Sequence, residues 1–171
     1  QFMTFKNDEN GMKALNWWRD SCNEWCYARF EDGKFGDQKY LDDWTTRFKG
    51  IHVLKNLGGG VAPWNIQQYD LSSDKSFNLI FYHFHNYKIL ENDKVDLGSY
   101  TLNANDINIL YKPYSKHLEK ITEALKQIDL VNDYNGVVQY NPFNWKNILR
   151  KAKRIIKCSY NVVDKKELLE V

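Results

Sequence analysis

Three cysteines are too few, and wrongly numbered, to staple a chain of 171 residues. Cys22, Cys26 and Cys158 cannot all pair, and the first two stand one helical turn apart, so a reduced setting is the simpler reading. Buried apolar thiols are the expectation. C-x3-C does not close a tetrahedral sphere, and a zinc site would need two further ligands, for instance His83 and His85. Charge of one sign is lacking too: 24 basic against 22 acidic residues leave a formal charge of +2. That excludes nucleic acid as an expected partner. No apolar run approaches the ~20 residues of a membrane-spanning helix, and the chain carries no internal repeat, low-complexity segment or clear linker. A cytoplasmic protein, at most peripheral to the inner face of the membrane, is expected. The chain opens on Gln1 and passes at once into F-M-T-F, a strand-like start that reads as the inside of a longer protein.

Aromatic residues are abundant, at 15% with six Trp and eleven Tyr. They serve cores, sugar rings and interfaces alike, and choose none of these alone. Asn7 and Asp8 can cap a helix whose apolar positions Met12, Leu15, Trp18, Cys22, Trp25 and Cys26 recur at three and four residues. After a polar loop with two glycines, Asp37 can act as N-cap for a helix carrying Tyr40, Leu41, Trp44 and Phe48. Residues 51–54 read as a short strand. The glycine-rich stretch 56–65 is expected to bring backbone close to something. F-N-L-I-F-Y-H-F, residues 77–84, reads as a strand buried on both faces, the pattern of a sheet covered by helices. Ser115–Ile128 and Trp145–Ile156 are amphipathic helices. The expected class is α/β, a mixed sheet flanked by helices, with a first part over 1–94 and a helical C-terminal extension over 95–171.

Several patterns carry chemistry. Asp37 and Gln38, a carboxylate and a carboxamide opening a helix after a glycine turn, cluster acceptors and donors suited to sugar hydroxyls; a plain helix cap is the alternative. His83 and His85, two apart in an extended run, point to the same face, where two imidazoles could share a metal or flank a polyanion. Their desolvation on an apolar strand would need partners. Lys88 would suit a phosphate as a point charge. The basic face of residues 146–157 could meet phosphates or an anionic membrane, a solvated surface being the commoner role. Gly58–Gly60 lacks the lysine-serine ending of a P-loop and the spacing of a dinucleotide fingerprint.

The order of F-M-T-F, N-W-W-R at 16–19, F-G-D-Q-K-Y-L-D, A-P-W-N and F-Y-H-F-H-N resembles the C-terminal half of bacterial GT-A-fold glycosyltransferases. The likeness is to nucleotide-diphospho-sugar transferases related to the retaining family 8 type, of polysaccharide and lipopolysaccharide biosynthesis, and it covers residues 2–88. The resemblance implies that Asp37 bonds donor-sugar hydroxyls and that Gln38 lies near the anomeric carbon. It implies that Trp64 and Asn65 close the site's rim, with Lys88 as a further substrate contact. His83, or alternatively His85, would complete the sphere of a divalent metal, usually manganese, on the donor's diphosphate. The implied partners are a nucleotide-sugar donor and a carbohydrate or lipid-linked acceptor. The family's aspartate-any-aspartate motif is missing, and Asn86 replaces a usual glycine. The expected activity of the chain by itself is therefore nil. A non-catalytic carbohydrate-binding or interaction module around Trp64 and Tyr69 is the alternative, and a homodimer through an exposed sheet edge is a further expectation.

Overall fold

A computed structural model describes residues 3–71, 78–128, 136–139 and 143–170. The chain divides into two compact units, Gln1–Asn56 and Leu57–Val171.

The first unit is built on α1, Glu9–Glu24, with Asp8 as N-cap. The Asp8 carboxylate accepts from the Gly11 N–H at 3.0 Å, one of the donors that a helix start leaves unpaired. This bond, with Lys6 alongside, holds the Asp8 carboxyl below the usual carboxylate range. The helix stops at Trp25, which turns extended as C-cap, so Trp25 and Cys26 lie beyond its last turn. Its inner face is aromatic: Trp18 meets Trp44 edge-on at 5.8 Å and Phe5 at 6.4 Å, and Trp17 meets Tyr40 and Phe48. The loop after it contains a tight turn. Asp32 and Gly33 both have positive φ, and Glu31 and Lys34 exchange backbone bonds across them, the geometry of a primed turn. The expected helix from Asp37 is instead a short 3-10 turn, Gln38–Leu41, followed by α2, Trp44–Arg47. Residues 3–5 and 51–54 are not strands. Neither pairs with a strand among the described residues; Phe2 lies outside these.

The second unit holds the sheet. β1, Lys88–Leu90, β2, Lys94–Asp96, and β3, Val162–Asp164, pair antiparallel in that order. Val95 sits opposite Ile89 and Val163. The outer edge of β1 is met at Leu90 by Val138. A long helical rod follows β2 in the chain: α3, Ala104–Asp106, a π turn, Ile107–Tyr111, and α4, Lys112–Ile128. The wide turn ends just before Pro113, which stands in the first turn of α4 and has no N–H to donate to the carbonyl four residues back. A capping box on Asn103 and Asp106 starts the rod. α5, Trp145–Ile156, and α6, Lys165–Leu169, complete the unit. The core gathers Val61, Ile66, Tyr82, Val95, Leu97, Leu110, Tyr111 and Leu168.

The run 78–84 is not the buried strand expected of it; residue 77 lies outside the described residues. It is extended with a single bridge, Val61 to Tyr82, and its side chains are exposed, half-buried and buried in turn. Its rings are spent on the helical rod. Tyr82 and Tyr111 share a hydroxyl bond of 3.1 Å, and Phe84 stacks on Tyr114 at 3.8 Å. Burial pushes both phenols up, Tyr111 to about 12. Gly58 does bring backbone close: a Cβ there would fall 1.8 Å from the Asn78 carbonyl oxygen. All three thiols are free, but they are not buried as expected: Cys26 and Cys158 are exposed and Cys22 is half-buried. Helix-end and turn positions put Cys26 and Cys158 outside any apolar face. The architecture is a mix of helices with a small antiparallel sheet, of the general α/β class.

Candidate functional site

The second unit brings four rings together. Trp64 stands on a loop that Ala62, Pro63 and Ile66 anchor in the core. Asn65 ties that loop to itself: its Oδ1 accepts from the Ala62 N–H at 2.8 Å, and its Nδ2 donates to the Gly60 carbonyl at 2.9 Å. With the residues on both sides held, the Trp64 indole is turned outward, 54% exposed. The adjoining backbone donates from His83 N–H to the Val61 carbonyl at 3.0 Å and from His85 N–H to the His83 carbonyl at 2.7 Å. The two imidazoles consequently lie side by side, centroids 5.6 Å apart. Trp64 meets them edge-on at 5.5 Å and 5.7 Å.

Tyr100 is the fourth ring, and no sequence signal pointed to it. Its hydroxyl shares a 2.7 Å hydrogen bond with His85 Nδ1. In the tautomer whose Nδ1–H donates to that oxygen, Nε2 keeps its lone pair for a ligand. Tyr100 is fixed in turn by Asn161, whose Nδ2 donates to the Tyr100 carbonyl at 2.7 Å and to the Gly98 carbonyl at 2.9 Å. Gly98 has a φ of +104°, and a Cβ there would stand 3.0 Å from the His85 carbonyl oxygen. Partial burial, then repulsion from a charged His85, lowers the affinity of His83 for a proton. A neutral imidazole at neutral pH is the form that binds a metal.

Asp37 and Gln38 belong to the first unit. The Trp18 indole N–H donates to the Asp37 backbone carbonyl at 3.0 Å, and the Gly36 N–H, at a φ of +55°, donates to the Tyr27 carbonyl at 3.0 Å. The tryptophan thus holds the pair by its backbone. Asp37 makes no side-chain cap bond, contrary to the helix-cap alternative, because its own backbone is already helical, with φ −82° and ψ −31°. Both side chains are exposed, and neither has a hydrogen-bond partner among the described residues.

Lys88 begins β1 and lines a cleft with Asn86, Ser99, Arg150, Lys151 and Tyr160; neither imidazole lines it. Among the described residues no group of three or more His, Cys, Asp or Glu side chains could hold a metal ion. No helix among them is long and apolar enough to cross a membrane.

No family model matches the chain, and no solved structure matches it. Curated relatives do. It is 30% identical over 135 residues to the uncharacterized protein YfnD of Bacillus subtilis strain 168, across 73% of this chain and 43% of that protein. It is 30% identical over 142 residues to the uncharacterized protein YfnF of the same organism, across 79% of this chain and 46% of that protein. The chain spans less than half the length of these relatives.

Proposed function

We propose that this chain is the acceptor-side portion of a GT-A-fold glycosyltransferase, moving a sugar from a nucleoside diphosphate sugar to a glycan or lipid-linked acceptor. Residues 1–94 would belong to the transferase domain proper and 95–171 to a helical extension of it. The reading rests on the run of motifs from F-M-T-F to F-Y-H-F-H-N. The observation that carries it is the pair of imidazoles beside an outward-facing Trp64, with a tyrosine orienting one of them. Asp37 and Gln38 would contact the donor sugar with side chains that the fold leaves uncommitted.

The donor set suits a divalent cation in part. His83 and His85 would supply one or both nitrogen ligands, and the carboxylates that manganese prefers would come from elsewhere. When bound, such a cation neutralises charge on the departing diphosphate. The chain's own residues hold and orient. Tyr100 sets the His85 ring, the Asn65 clamp presents Trp64 at the rim, and the indole offers a flat apolar face to a sugar ring. Asn65 thereby becomes a positioning residue, since both ends of its amide are used within its own loop.

Manganese added to the chain tests this directly. His83 and His85 imidazole resonances should broaden well before those of His52 and His117, and His85→Gln should abolish the preference. Equal broadening of all four would remove the metal assignment. The exposed Trp64 also favours a second reading, a carbohydrate-binding module. Glycan binding by this chain that is lost in Trp64→Ala and indifferent to chelator would select it.

A further inference from the structure

α5 is mounted inside out. With about 100° of rotation per residue, Trp145, Ile148, Leu149, Ala152, Ile155 and Ile156 fall within one arc of about 120°. An amphipathic helix normally turns such an arc to its core. Here Trp145, Ile148, Leu149, Ile155 and Ile156 are each more than half exposed, and no residue of α5 is buried. The helix is attached through its opposite, polar side. Arg154 forks onto Asp96, with Nη1 to Oδ2 and Nη2 to Oδ1 both at 2.7 Å, and donates to the carbonyls of Gly98 and Ser159. Asn147, about two turns earlier on the same side, lines the cleft against Asp96 and Asn86. A salt bridge and backbone carbonyls thus hold the helix down; Ile148 stands at the edge of a cleft beside Leu90 and Val162, and the rest of the apolar stripe is left open.

The charges flanking that stripe identify what covers it. Lys146, Lys153 and Lys157 border it on one side and Lys151 on the other, and α5 contains no Asp or Glu. None of the four forms an ion pair with a carboxylate among the described residues. A second copy of the chain seated on this face would set these rows of cations against each other across a two-fold axis, which is repulsive. An anionic lipid surface accepts both features at once. The apolar arc enters the acyl boundary, and the lysines meet phosphates at the headgroup level.

We propose that α5 lies in the plane of an anionic membrane and docks this domain there, with Ile148, Leu149 and Ile156 inserted and Lys146, Lys153 and Lys157 on lipid phosphates, while Lys151 stays over the Tyr160 ring. The proposal does not depend on the glycosyltransferase reading, because it uses neither the imidazoles nor Asp37 and Gln38.

Sedimentation of the 171-residue chain with extruded vesicles tests it. With equal parts phosphatidylglycerol and phosphatidylcholine the chain should pellet; with phosphatidylcholine alone, or in high salt, binding should fall at least about tenfold. I148E/L149E should lose at least about tenfold of the binding to the mixed vesicles. Both positions are exposed, so an unchanged circular dichroism spectrum is expected and checks that the fold survives. Lys146→Glu/Lys153→Glu should lose the preference for phosphatidylglycerol and keep the residual binding to phosphatidylcholine. The proposal is overturned if the wild-type chain does not pellet with the mixed vesicles, or if I148E/L149E pellets as wild type does. It is also overturned if light scattering shows a lipid-free dimer that the same substitution dissociates, which would make the occupant a second copy.

Discussion

Replacing Arg154 should loosen the second unit. The Arg154 and Asp96 side chains are only 12% and 16% exposed, and the guanidinium also serves two backbone carbonyls. Removing one partner of a buried ion pair costs about 3–5 kcal/mol, chiefly because the other charge is stranded. Asp96 retains the Gly98 N–H at 3.0 Å, which partly satisfies it, so Arg154→Ala belongs at the lower end, about 3 kcal/mol. Arg154→Lys keeps the charge but not the fork, and should cost about 1–2 kcal/mol. The natural assay is amide hydrogen exchange at Val95 and Leu97. Both are buried beside the pair, and the Leu97 N–H donates to the Asn161 carbonyl at 3.0 Å. Protection there reports the second unit without averaging over the first. Arg154→Ala within about 0.5 kcal/mol of wild type, or a lysine variant no better than alanine, would refute the view that this fork fastens α5.

Other outcomes follow from single contacts. Gly58→Ala would drive a Cβ into the Asn78 backbone and should destabilise by about 1–3 kcal/mol in urea melts, whereas Gly59→Ala, with nothing within 4 Å, should not. Asp37→Ala should leave stability within about 0.5 kcal/mol, since its side chain caps nothing; a larger loss means that the carboxylate has a structural task. His83 should titrate below an ordinary histidine by NMR, and His85→Gln should move it part of the way back up by removing the repulsion of a neighbouring imidazolium, burial being the larger cause. The sign for stability follows: the unfolded chain takes up this proton first, so the His83 contribution is intact above the ordinary histidine range and weakens as pH falls through it. A His83 that titrates at its ordinary value, or that is unmoved by His85→Gln, would contradict that ring arrangement.

Helices with several turns were legible because their apolar periodicity is local. α1 with its Asp8 cap, α4 and α5 lie where the spacing put them. The sheet was not legible. Its strands have three residues each, and β2 meets β3 across more than sixty intervening positions, so no window of sequence holds the pattern. The apolar run ending at Phe84 imitated a strand because its rings pack on Tyr111 and Tyr114 of the helical rod, a tertiary use that a period-two reading cannot separate from sheet burial. In the site, the proximity of His83 and His85 followed from their spacing, while Tyr100 arrives by a loop that only the Gly98 and Asn161 contacts explain. For α5 the periodicity located the stripe correctly and the usual inference would have buried it; the Arg154 fork is what turns it outward.

Asp37 and Gln38 are proposed as part of a sugar-transfer site. It is tested by manganese-dependent transfer from a nucleoside diphosphate sugar with this chain fused to a nucleotide-binding half, compared with the Asp37→Ala and Gln38→Ala variants of that fusion. Both variants should stay folded, and each should lose transfer by about a hundredfold or more, the scale of a residue that positions or stabilises the reacting sugar. Turnover at the wild-type rate in both variants would contradict it.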